Sequence, residues 1–144
     1  MQRPIVCATR GGQASRRTQE KAIALAKERG ANLIFLCIAD PSFAPLADDA
    51  LEAALSDELT RLGRSMLYIA QARARKQGIE ATAIVECGPV WDKIEGFLKD
   101  KNAQTLVIGA PEEDVMLQAF GAEKIHKFVE RIEENTGVDV VVVT

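Results

Sequence analysis

The fold of this chain is decided near its start, by residues 4–30, which read PIVCATRGGQASRRTQEKAIALAKERG. The run from Pro4 to Thr9 is apolar without alternation, which is typical of a strand covered on both faces in a parallel sheet. Gly11 and Gly12 allow a tight turn from this strand into a helix that ends at Gly30. This arrangement predicts the first half of a βαβ unit, whose loop is where such folds bind ligands. The predicted inner face of the helix consists of Ala14, Thr18, Ala22, Leu25 and Ala26.

The rest of the chain continues the alternation of strand and helix. Continuous apolar runs at 33–39 and 105–110 predict buried parallel strands, residues 80–86 predict an edge strand, and residues 138–143 predict the last strand. Five strands and four helices in strict alternation predict an α/β fold, a doubly wound parallel sheet with helices on both faces.

Three helices are predicted between these strands. They cover about residues 46–77, residues 90–99, and a segment that ends near Thr136. Pro89 is predicted to be the first helical residue of the second of these helices, since its missing N–H costs nothing there. In the longest helix, apolar residues repeat at helical spacing: Leu51, Leu55, Leu59, Leu62, Met66, Ile69 and Ala70.

Composition limits the classes of function. The 144 residues fit a single domain, 1–144, and a net charge of −3 gives no footprint for nucleic acid. The N-terminus shows no signal-peptide pattern, and no apolar run approaches the roughly 18 residues of a membrane span, so we expect a cytoplasmic protein without a membrane partner. The three cysteines, in or just after predicted strands, are expected to be buried, reduced thiols.

Several segments of the chain together carry a family resemblance. They are residues 5–12, IVCATRGG, residues 22–38, Gly88 with Pro89, and residues 106–109. In this order they resemble the opening strand with its Ala-Thr-Asp-Gly signature, the next segment, the turn before the third helix and the fourth strand of the universal stress protein A family. The resemblance implies a flavodoxin-like sheet order of 3-2-1-4-5 and a role in the stress response.

The chain departs from the pattern of the family's nucleotide-binding members. Those members carry, after the fourth strand, a glycine, two residues, a second glycine, nine residues, and a third glycine followed by Ser or Thr. Gly109 matches the first glycine, but Glu112 stands at the second. Gly121 comes one residue too early for the third, and Ala122 follows it.

The first loop departs as well, because Arg10 stands where the family has an aspartate associated with adenosine. Glu112, Glu113 and Asp114 add negative charge where phosphates would lie, and each like-charge pair costs up to about 4 kcal/mol at 4 Å. Arg10 is expected either to pair with Glu112 or Glu113, or to leave a solvated acidic turn. No cofactor is therefore expected, with ATP as the alternative. The altered cofactor site comprises Ala8, Thr9, Arg10, Gly11, Gly109, Glu112, Gly121 and Ala122.

No catalytic or metal-binding group is expected. His126, the sole histidine, falls outside the apolar stripe of the last helix. Ser15 resembles the last serine of a pyrophosphatase-type loop, but Arg10 and Ala14 replace that loop's first serine and its aspartate. Trp91 lies beside the stripe of its helix and is expected to pack there. We expect a non-enzymatic regulatory protein; the alternatives are an ATP-binding or ATP-hydrolysing switch and an adenylating enzyme.

The strand that starts at Val138 and ends at Val143 is predicted to join two copies of the chain. In the implied order it lies at an edge of the sheet, with four consecutive valines and no lysine or proline to block pairing. A two-fold axis would let each copy cover the other, and the resemblance implies the same mode of association. A monomer in which the last helix and residues 116–120 cover the strand is the alternative.

Overall fold

The computed structural model describes residues 3–9, 13–40, 48–110 and 115–144, with the backbone alone at 13, 14 and 115–124. Strands and helices alternate along it, as the sequence predicts. They are β1 (Ile5–Ala8), α1 (Gln13–Arg29), β2 (Leu33–Ala39), α2 (Asp49–Lys76), β3 (Ala81–Cys87), α3 (Val90–Lys101), β4 (Thr105–Gly109), α4 (Val115–Thr136) and β5 (Asp139–Val143).

The sheet has five parallel strands in the order β3-β2-β1-β4-β5, which confirms the predicted topology. In the register, Ile5 of β1 lies beside Leu33 of β2 on one side and Thr105 of β4 on the other. Strand β1 is therefore central, and β3 and β5 form the edges.

The helices cover both faces of the sheet. Buried residues of α1 and α2 form one core with alternate strand residues, and α3 and α4 form a second core on the opposite face. Ile5, Val6 and Cys7 of β1 are fully buried between them, which explains the lack of alternation in that strand. Burial raises the pKa of the Cys7 thiol, so this side chain stays protonated.

Helix α2 is confirmed, but Ala70 is the one residue of its predicted apolar stripe that is buried. Leu51, Leu62 and Ile69 are 57%, 55% and 55% exposed. The buried residues of α2 are small apart from one leucine: Gly63, Leu67, Ala70 and Ala74. Small residues prevail there because α2 lies so close to β2 that a Cβ added at Gly63 would sit 3.0 Å from Cys37 Sγ.

Two local expectations also need correction. Pro89 precedes α3 as its N-cap, with an extended backbone (φ −60°, ψ 125°), instead of being the first helical residue. Cys7 and Cys37 are buried as expected, but Cys87, at the end of edge strand β3, is exposed. Its position at the edge leaves it without cover from a further strand.

Helices α3 and α4 are linked by a polar cluster. Arg131 of α4 donates to Asp92 at 2.7 Å and to both carboxylate oxygens of Glu95 at 3.2 Å. Asn135 donates to Glu95 at 2.9 Å. These hydrogen bonds lower the pKa of Glu95, with Arg131 as the largest cause. The cluster holds the two helices together on the second core.

The close packing of α2 can be tested by replacing each of two helical glycines, Gly63 and Gly96, with leucine. Gly63→Leu should lower the free energy of unfolding by about 1–3 kcal/mol, because the added atoms meet Cys37 and Val85. Gly96→Leu in α3 should instead raise it by roughly 0.5–1 kcal/mol, because a Cβ there meets nothing within 4 Å. Chemical denaturation measures both, and equal changes at the two sites would contradict the close packing.

Candidate functional site

The candidate site lies at the carboxyl edge of β1 and β4. The strand order reverses between these two strands, and folds of this type bind ligands at that point. Ala8 is in register with Ile108, so Thr9 and Gly109 follow side by side. Of the other candidate residues, Arg10, Gly11 and Glu112 lie outside the described part of the chain.

Thr9 belongs to a hydrogen-bonded chain that joins β1 to two helices. Its Oγ1 accepts a 3.0 Å hydrogen bond from Nε2 of Gln19 on α1. Oε1 of Gln19 accepts a 2.7 Å hydrogen bond from Nη1 of Arg73 on α2. Thr9 and Gln19 are both buried, and Arg73 is partly buried. The chain of contacts fixes the end of β1 against the helices on that face.

The direction of these hydrogen bonds follows from Arg73. A guanidinium has donors only, so it fixes the oxygen of the Gln19 amide toward α2 and the nitrogen toward Thr9. Neither Gln19 nor Arg73 was predicted from the sequence to belong to the site. Gln19 carries a usable signal, because it lies three residues before Ala22 on the buried side of α1. Arg73 carries none, since it follows the charge pattern of a helix C-terminus.

Gly109 has a packing role that is independent of any ligand. A Cβ built on it would lie 2.7 Å from Thr18 Oγ1, well inside contact distance. Thr18 is buried on α1, so it has little room to move away. The glycine at the end of β4 therefore allows α1 to lie directly on the sheet.

Gly121 and Ala122 lie inside α4, which begins at Val115. Phosphate cradles use the free N–H groups of the first turn of a helix. Gly121 is beyond that turn, where backbone N–H groups bond to carbonyls four residues earlier. The backbone N–H of Gly121 is therefore used for hydrogen bonding within the helix.

The remaining candidate residues are His126, Trp91 and Ser15, and each of them lies in a helix. His126 is exposed, and its Nε2 lies 3.0 Å from Oε1 of Glu130 one turn later in α4. Trp91 packs on Phe128 with ring centroids 4.4 Å apart, which confirms its predicted packing role. Ser15 lies in the first turn of α1.

Among the described residues, no group of three His, Cys, Asp or Glu side chains is arranged to hold a metal ion. None of the helices in that same part of the chain is long and apolar enough to cross a bilayer.

The sheet order and the edge formed by Thr9 and Gly109 define a Rossmann-like α/β protein. The chain belongs to the universal stress protein family, whose model matches residues 1–144. The family explains the register of the matching segments noted in the sequence. A comparison with curated proteins gives no match.

Solved structures of universal stress proteins share this fold. A Burkholderia pseudomallei protein is 22% identical, with a TM-score of 0.73 over 98% of this chain and 95% of that one. UspA from Lactobacillus plantarum is 16% identical, with a TM-score of 0.77 over 98% and 97%. A universal stress protein in complex with cAMP is 21% identical, with a TM-score of 0.71 over 99% and 97%. At these identities the likeness shows the fold alone.

The contact between Gly109 and Thr18 can be tested with a double-mutant cycle. Gly109→Ala should destabilise the protein by about 1–3 kcal/mol through overpacking. In a Thr18→Ala background the same change should cost at least about 0.5 kcal/mol less, because Oγ1 is gone and the next atom, Thr18 Cβ, is 3.9 Å away. Urea unfolding of the four proteins gives the coupling, and additive effects would rule out the packing role.

Proposed function

We propose that this universal stress protein is a non-enzymatic regulatory protein that binds ATP weakly or not at all. The single observation that carries the proposal is the use of Gly109 for packing against Thr18, which accounts for this glycine without a phosphate. The one match between the fourth-strand loop and the glycine pattern of nucleotide-binding members thus has an explanation that does not involve a nucleotide.

The other parts of the altered site support the same proposal. Gly121 lies within α4 and so has no free N–H group to offer a phosphate. Glu112 and Arg10, which depart from the family pattern in sequence, lie outside the described residues. The charge of Glu112 still bears on ATP, because a carboxylate at the second glycine position repels the polyphosphate.

We also propose a cytoplasmic location. All three cysteines are free in the structure, including the exposed Cys87, and a reducing compartment keeps such thiols unpaired.

A nucleotide-binding switch is the second candidate. It is favoured by the similar universal stress protein that was solved in complex with cAMP. A cyclic monophosphate carries one negative charge and needs no triphosphate cradle. The two candidates therefore differ in their expected response to ATP and to cAMP.

A thermal scan with each nucleotide separates these candidates. ATP with magnesium at micromolar concentrations should leave the melting temperature unchanged, whereas ligand at 100 times its Kd would stabilise the protein by about 2.7 kcal/mol. Glu112→Gly combined with Arg10→Asp should move the protein toward ATP binding. The matched control, Glu113→Gly with Arg10→Asp, makes the same changes of charge without restoring the glycine position.

A saturable upward shift of the wild type with ATP would overturn the first proposal, and a shift with cAMP alone would favour the switch. The same samples should release no phosphate from ATP over many equivalents. Sustained turnover that Ser15→Ala or Arg10→Ala abolishes would show that the protein is an enzyme.

We further propose a homodimer through the last strand, from Val138 to Val143. Strand β5 is an edge of the sheet, and Val142 is 37% exposed. Asp139 N–H donates to Gln104 O at 3.3 Å, and Val143 O accepts from Ala110 N–H at 2.8 Å. Because successive residues of a strand direct their backbone groups to opposite sides, the odd-numbered residues face β4 and the even-numbered ones face away.

This alternation selects the substitutions that test the dimer. Val140→Pro removes an outward N–H and should lower the mass of the assembly by abolishing pairing through β5, while the protomer stays folded. Val141→Pro removes an N–H that faces β4, so it should destabilise the protein itself. Light scattering after size exclusion, with a thermal melt of each variant, measures both effects. A folded Val140→Pro variant whose mass equals that of the wild type would exclude this interface.

A further inference from the structure

Helix α2 carries an apolar stripe that the described part of the molecule leaves largely exposed. At about 100° per residue, Leu51, Leu62 and Ile69 lie within about 20° of one another on the helix. Each is more than half exposed. The residues that face the sheet, centred on Leu67 and Ala70, lie about 110° away around the helix. We call Leu51, Leu55, Leu62, Met66 and Ile69 the outer stripe.

The first half of α2 has little support from the sheet. The first buried residue of the helix is Gly63, although the helix begins at Asp49. All residues from 48 to 54 are exposed, and Leu55 is half-buried. Isolated helical segments of this length are marginal in water, so their stability gains from any surface that covers the outer stripe.

Charges along α2 are segregated. Residues 48–58 contain five acidic residues and no basic one, and residues 59–76 contain five basic residues and no acidic one. The helix dipole favours acidic residues in the first turn and basic residues in the last turn, but its effect does not extend to the charges in the middle of the helix. These middle charges are Asp57, Glu58, Arg61 and Arg64.

This segregation matches a second copy of the same helix in antiparallel orientation. We propose that α2 pairs with α2 of a second copy about a two-fold axis at Leu62. Such an axis places Leu55 opposite Ile69 and Leu62 opposite itself. It also places Asp48 opposite Lys76, and the acidic half of each helix lies along the basic half of the other.

The partner's chemistry follows from this match. The outer stripe alone would accept any apolar surface. The charge along α2 changes sign at the middle of the helix, so the helix is complementary to a second copy of itself in antiparallel orientation. The helix spans about 42 Å, enough for the apolar contacts to occupy the centre and the opposite charges to occupy both ends. The outer stripe is separate from β5, because α2 packs over β2 and β3.

The first experiment compares two arginine substitutions of similarly exposed residues. Leu62→Arg places two like charges at the axis and should weaken self-association at least about tenfold. Tyr68→Arg, at a residue 60% exposed and about 100° around the helix from the stripe, should associate like the wild type. Sedimentation equilibrium is done in a Val140→Pro background, so that pairing through β5 does not contribute. Equal association of both variants, or a monomeric parent across micromolar concentrations, would overturn the proposal.

The second experiment does not depend on affinity. In a Cys87→Ser background, Leu62→Cys should form a disulfide between two copies under mild oxidation, because the two-fold axis brings residue 62 of each copy together. Tyr68→Cys should form it far more slowly. Cross-linking at equal rates would show that contact at residue 62 is not specific, and a circular dichroism melt of each variant confirms that the fold is intact.

Discussion

The close approach of α1 and α2 to the sheet is the constraint on which the rest of this structure depends. It rests on two glycines, Gly109 against Thr18 and Gly63 against Cys37, where a Cβ would meet a buried side chain at 2.7 and 3.0 Å. A helix that lies this close presents small residues to the sheet, so the larger side chains of α2 point elsewhere. The same constraint therefore explains the burial of Ile5, Val6 and Cys7 in β1 and the exposure of Leu51, Leu62 and Ile69.

The sequence predicted the sheet well because its inner strands are buried on both faces. A run such as Leu33–Ala39 has no polar residue and admits few other structures. The buried face of α2 was not predictable in the same way. Periodicity detects hydrophobicity, and the outer stripe is more hydrophobic than the face with Gly63, Ala70 and Ala74. The size of the gap between helix and sheet determines which face of α2 is buried, and that gap depends on tertiary contacts.

The candidate site shows a similar division. Its location at the ends of β1 and β4 follows from the order of the strands, which the family resemblance implied. The hydrogen bonds inside the site could not be predicted from the sequence, because Gln19 and Arg73 are 54 residues apart and meet only when α1 and α2 pack side by side. A glycine at this position can therefore be required either for phosphate binding or for close contact with a neighbouring helix. Sequence patterns do not distinguish these two requirements. Gly109 illustrates the second.

The two proposed interfaces constrain each other through symmetry. Strand β5 is at one edge of the sheet, and α2 covers β2 and β3 toward the other. Each interface uses one surface twice about a two-fold axis, so a protomer that forms both is joined to two different copies. Such assemblies close into tetramers only when the two axes intersect at right angles, and axes that do not intersect give open chains. Because the α2 contact includes opposite charges at exposed positions, salt weakens it, whereas the pairing of β5 depends on backbone hydrogen bonds. Ionic strength would then act on the larger assembly and leave the β5 dimer intact.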